Sequence, residues 1–112
     1  MNNKIEITME LPKYFMEYFM CGITNAISYW GLVRENKYEY QSDEKIIIDE
    51  IVCESTGELK RYEVTDEMIF EGVQKFCKNH PSRTNEIFNM DYDSITQDCV
   101  MQYALLGTIV YG

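Results

Sequence analysis

The sequence is poor in the groups from which most enzyme sites are built. Of its 112 residues, one is His, one is Trp and two are Pro. His80 precedes Pro81 in a turn-like context, and no Ser or Cys beside it makes a nucleophile pattern, so the chain is expected to be non-catalytic. Positive charge is scarce too: 10 Lys and Arg stand against 19 Asp and Glu, a net charge of −9. That deficit argues against direct binding to a nucleic-acid backbone, which needs a basic patch. It argues equally against an anionic membrane surface. No run approaches the roughly 18 apolar residues of a membrane span. The opening Met1-Asn2-Asn3-Lys4 has no signal-peptide core, so a cytoplasmic location is expected. Cys21, Cys53, Cys77 and Cys99 form no C-x-x-C pair and read as reduced core thiols. The fragment Cys77-x-x-His80 lacks a second ligand pair, so neither a metal nor another cofactor is expected.

What is present is an ordinary folding composition, 46% hydrophobic and 26% charged. The length suits one domain, residues 1–112. Ile5, Ile7, Met9 and Leu11 alternate with polar residues, which predicts a strand over 4–11. Pro12 then opens a helix over about 12–26 that is apolar on most sides. Residues 27–33 read as a strand or an irregular extended segment, and 35–45 as an exposed connection with room for a short strand at Tyr38–Tyr40. Strands over 46–54 and 59–64 flank a turn at Gly57 and predict a hairpin. Thr65 before Asp66 and Glu67 starts a helix that runs to about residue 79, where Asn79-His80-Pro81 stops it. One more short helical stretch is predicted around Ile87 and Phe88. Asp91-Tyr92-Asp93-Ser94 is a start signal for a helix over 94–106 that is apolar on several faces, with Gly107 at its end and a strand over 108–112 after it. The prediction is a single α+β domain with a mainly antiparallel sheet packed against about three helices. The first and last helices carry more apolar surface than so small a domain buries, so a homo-oligomer is expected.

Asp98 and Gln102 are four apart and share one face of an otherwise apolar helix. Two accounts fit them: a polar recognition site, or service to the helix end and to nearby backbone groups. Tyr29 and the single Trp, Trp30, read either as a platform for a planar base or as large core residues. Asp91, Asp93 and Asp98 do not have the spacing of a calcium loop and suit helix capping better. The cations Arg34, Lys37, Lys60, Arg61 and Arg83 are scattered, and only a fold can bring them to one anion.

Two blocks resemble a family of small phage and prophage proteins. The first is Phe19 to Trp30, where the family has an apolar helix followed by Gly-Gly-Ile-x-Tyr-Trp. The second is Asp91 to Gly112, similar to an ending with an Asp pair, an Asp-x-x-x-Gln helix, Phe-Gly and Val-Tyr-Gly. Together they cover about a third of the chain. Asn25-Ala26 stands where the family has Gly-Gly, and Leu106 where it has Phe. The resemblance implies a phage-encoded protein acting in a bacterial host cell. The expectation built on it is an anti-defence role, binding and sequestering a nucleotide-derived immune signalling molecule through Tyr29, Trp30, Asp98, Gln102, Tyr111, Asn25 and Arg34. The alternatives are an acidic protein-interaction inhibitor or DNA mimic, and a phage structural or replication accessory protein.

Overall fold

The computed structural model describes residues 10–112. In chain order these form α1 (Phe15–Met20), α2 (Ile23–Ala26), β1 (Gly31–Asn36), β2 (Ile46–Cys53), β3 (Glu58–Val64), α3 (Asp66–Asn79), α4 (Thr84–Phe88) and α5 (Ser94–Leu106). A single 3-10 turn, Pro81–Arg83, leads into α4. The strands make an antiparallel sheet in the order β1-β2-β3, so the class is α+β.

The elements start and stop where the local chemistry dictates. The Thr65 hydroxyl accepts the Met68 N–H at 3.2 Å and caps α3, with Asp66 and Glu67 at its positive end. Asp93 does the same for α5, accepting the Thr96 N–H at 3.0 Å. Gly107 ends α5 in the left-handed conformation, φ 80°. Ile46 and Ile48 of β2 face the helices and are fully buried, together with Phe15, Phe19, Ile23, Ile69, Phe76 and Met101. α3 and α5 meet closely at Gly72, against the backbone of Val100 and Ala104.

Several expectations need correction. The helix predicted over 12–26 is broken: Gly22 takes φ 82°, and two short helices result. The carbonyls freed by the break are not left bare. The Gln97 side-chain amide donates to Phe19 O (2.8 Å) and Cys21 O (3.1 Å), and that of Asn36 donates to Met20 O (3.0 Å). The first sheet strand is Gly31–Asn36, and Tyr38–Tyr40 lies in a turn. The strand predicted over 4–11 falls outside the described residues except for Glu10 and Leu11, which belong to no strand. Residues 108–112 are not a strand either. Their backbone pairs with a side chain, as shown below. The four cysteines are free thiols, but none is fully buried and Cys21 is exposed. Among the described residues no helix is long and apolar enough to cross a membrane, and no group of three or more His, Cys, Asp or Glu is placed to hold a metal ion.

Candidate functional site

Trp30 lies one residue before β1. The Ile51 N–H donates to its carbonyl at 2.8 Å, which fixes the indole between sheet and α5. The side chain is 1% exposed. An indole N–H this deep needs an acceptor, and Asp98 Oδ1 supplies it at 2.7 Å. Asp98 is the fifth residue of α5, beyond the capping position held by Asp93. Its other oxygen, Oδ2, accepts from the Tyr29 hydroxyl. One turn further along α5, the Gln102 amide donates to Asp98 Oδ1 at 3.0 Å. The carboxylate therefore ties the residues just before β1 to the last helix.

Gln102 also fastens the chain's last residues. Its Oε1 accepts the N–H groups of Val110 and Tyr111, both at 2.8 Å, and its Nε2 donates to Tyr111 O at 3.0 Å. One side-chain amide thus does what a neighbouring strand would do for this backbone. The Tyr111 ring then lies on Trp30, with ring centroids 5.7 Å apart and planes within 5° of parallel. Its hydroxyl donates to Glu50 Oε2 at 2.6 Å, and Tyr62 donates to Glu50 Oε1 at 3.1 Å.

Five of the residues singled out in the sequence, Tyr29, Trp30, Asp98, Gln102 and Tyr111, therefore form one cluster. No family model, no curated protein and no solved structure matches the chain. The other two lie elsewhere. Asn25 is exposed, and its carbonyl accepts from the Ser28 hydroxyl at 3.1 Å. Arg34 reaches Asp49, on the face of the sheet away from the helices. Glu50 and Tyr62 belong to the cluster but escaped the sequence reading. Their only signal was a pair of adjacent acids, Asp49 and Glu50, inside an apolar strand.

The cluster holds its tyrosines neutral. Burial, then the hydrogen bond to Asp98 and its charge, push Tyr29 up to about 12 from the ordinary 10.0. The hydrogen bond to Glu50, then burial, push Tyr111 up to about 12 as well. A raised pKa in the folded state stabilises the fold fully below pH 10.0, and that contribution is lost as the pH rises through about 12. An alkaline titration followed by tyrosinate absorbance is expected to show a late class near pH 12, and stability should decline across the same range. Tyr29→Phe and Tyr111→Phe should each shrink the late amplitude. An unchanged amplitude in both would mean that the cluster does not hold these hydroxyls.

Proposed function

We propose that the chain is a non-catalytic binding protein that sequesters a nucleotide-derived signalling molecule, its base stacking on Trp30 where the Tyr111 ring now lies. The observation that carries this reading is the parallel stack of Tyr111 on Trp30 beside the Gln102 amide. That slot already holds a planar ring. Gln102 presents it with an acceptor and a donor side by side, the pattern with which a side-chain amide meets the edge of an adenine. Asp98 and Glu50 add acceptors for ligand N–H or O–H groups. Tyr29 and Val110 at the rim are about half exposed, at 49% and 58%, so a ligand can reach the slot from that side. In this reading the last residues swing away and Tyr111 acts as an internal competitor.

The phage-like blocks suggest the setting, an anti-defence role inside a bacterial host cell, and the protein is proposed to act as a homo-oligomer. The reading as an acidic mimic of DNA has less support, because the acids are interleaved with cations. Asp49 lies between Arg34 and Arg61, Glu86 pairs with Arg83 at 2.8 Å, and Asp66 lies 3.6 Å from Lys37.

The test is calorimetry with a panel of cyclic nucleotides and ADP-ribose-type compounds, on protein whose subunit count is read by native mass spectrometry. Micromolar or tighter binding of at least one compound is expected. Gln102→Leu should weaken it by tenfold or more. Tyr111→Ala should tighten it, because the slot no longer has to be vacated. Absence of binding across the panel at micromolar concentration overturns the proposal.

A further inference from the structure

On the face of β2 away from the helices, two arginines converge on one buried carboxylate. Asp49 is 3% exposed. Arg61 grips it from β3, Nε to Oδ1 at 2.8 Å and Nη2 to Oδ2 at 3.0 Å. Arg34 reaches Oδ2 from β1 through Nε alone, at 2.9 Å. Arg34 arrives there through a bulge. Val33 pairs with Ile48 and Glu35 with Ile47, so Arg34 is the extra residue on β1. Bulges of this kind re-aim a side chain and recur beside functional sites.

Both guanidinium groups remain open to solvent, with side chains 46% and 65% exposed. Each carries five N–H donors in a planar fork. Three of the ten point at Asp49. Among the described residues the other seven have no partner. One carboxylate would be satisfied by one arginine. Two leave a surplus positive charge and a set of outward N–H groups held in place from below. A further acid, Glu35, acts on Arg61 through its charge. It tempers the field but takes none of the free donors among the described contacts. Hydrogen bonds first from Arg61 and then from Arg34 bring Asp49 down to about 2, so the anchor stays charged at any pH where the protein is handled.

We propose that Arg34 and Arg61, oriented by Asp49 and the β1 bulge, form a binding site for a phosphate-type oxyanion on the outer face of the sheet. The site is separate from the Trp30 cluster, which lies on the other face of β2, and it stands whether or not a nucleotide binds there. Forked N–H donors match the oxygens of a tetrahedral oxyanion in pairs, which a lysine pair does not do. The shared chemistry is the phosphate group, either free or as the end of a phosphorylated small molecule.

The experiment titrates the whole protein with inorganic phosphate, and separately with a simple phosphate monoester, against chloride at matched ionic strength. Binding is read by calorimetry and by the thermal midpoint. A saturable, phosphate-specific response in the millimolar range or tighter is expected. Preference for the monoester over inorganic phosphate identifies the second source, and the reverse the first. Arg34→Lys and Arg61→Lys keep a cation beside Asp49 and therefore keep the fold, but lose the fork; each should weaken binding at least fivefold. Glu35→Gln should tighten it about threefold. A response no larger than that to chloride overturns the proposal. So does wild-type affinity in both lysine variants. Loss of nucleotide binding at Trp30 with phosphate binding intact would refute only the function proposed above.

Discussion

Gly72→Leu is expected to leave little folded protein. Even a Cβ at this position would stand 2.6 Å from the Val100 carbonyl oxygen, 2.9 Å from the Ala104 Cβ and 3.0 Å from the Ala104 nitrogen. Two of those atoms are backbone of α5 and cannot rotate aside, so α3 and α5 must separate. Separation opens gaps around Ile69, Val73, Phe76 and Met101, all buried in the same core. Overpacking of this kind costs about 1–3 kcal/mol for added methylenes, and more where backbone must move. For leucine we expect a loss of about 4 kcal/mol or more, a large share of the roughly 5–15 kcal/mol that holds a domain of this size. Gly72→Ala is the sharper test. Helix propensity alone favours alanine by about 1 kcal/mol, so a net destabilisation can come only from the close approach. Urea melts by circular dichroism should show Gly72→Ala less stable than wild type, with Glu71→Ala, on the exposed side of the same helix, near neutral. A stabilised Gly72→Ala would refute the contact.

Trp30→Ala is expected to cost nearly as much. The indole is the largest side chain with no exposed surface to speak of. Its removal leaves a cavity, takes the platform from under Tyr111 and deprives Asp98 Oδ1 of its shortest donor. Large-to-small changes at such sites cost about 3–5 kcal/mol. Trp30→Phe separates the terms, because it keeps most of the apolar volume and removes the N–H. A loss of about 1.5–3 kcal/mol is expected there, the range for a hydrogen bond to a charged group. Trp30 is the only tryptophan, so unfolding is followed by far-ultraviolet circular dichroism. Equal melts for Trp30→Phe and wild type would mean that the Asp98 contact contributes nothing.

The legible parts of this chain are those whose signals are local. The helices read over 66–79 and 94–106 coincide with α3 and α5, because Thr65, Asp93 and Gly107 mark ends that depend on neighbouring residues alone. The hairpin was legible for the same reason: alternation on both sides of a glycine turn. β1 was legible only in part, as one of two readings of residues 27–33, because its bulge breaks the period of two and its residues, Gly-Leu-Val-Arg-Glu-Asn, show no alternation. The last residues were misread because Ile109, Val110 and Tyr111 have strand composition. Composition does not say whether the partner of a backbone is another strand or a single amide such as Gln102. In the cluster, the four-residue spacing of Asp98 and Gln102 and the rarity of Trp30 were visible, and the fold brings them together. Glu50 was hidden because its partners Tyr62 and Tyr111 lie 12 and 61 residues away. Gln97 was hidden because it serves the Phe19 and Cys21 carbonyls, which are free only because the first helix breaks at Gly22.

Adjacent acids on β2 also bear on how the chain reaches this fold. Asp49 points away from the helices to the arginines, and Glu50 points toward them to the tyrosines. A hairpin paired one residue out of step would turn every β2 side chain to the opposite face. Asp49 would then enter the apolar layer without Arg61, Glu50 would leave Tyr62 and Tyr111, and Ile46 and Ile48 would face water. Each of these losses raises the energy of the slipped pairing, and together they leave one alignment open to the growing sheet. Two neighbouring carboxylates with opposite needs thus penalise the slipped register from both faces of the sheet.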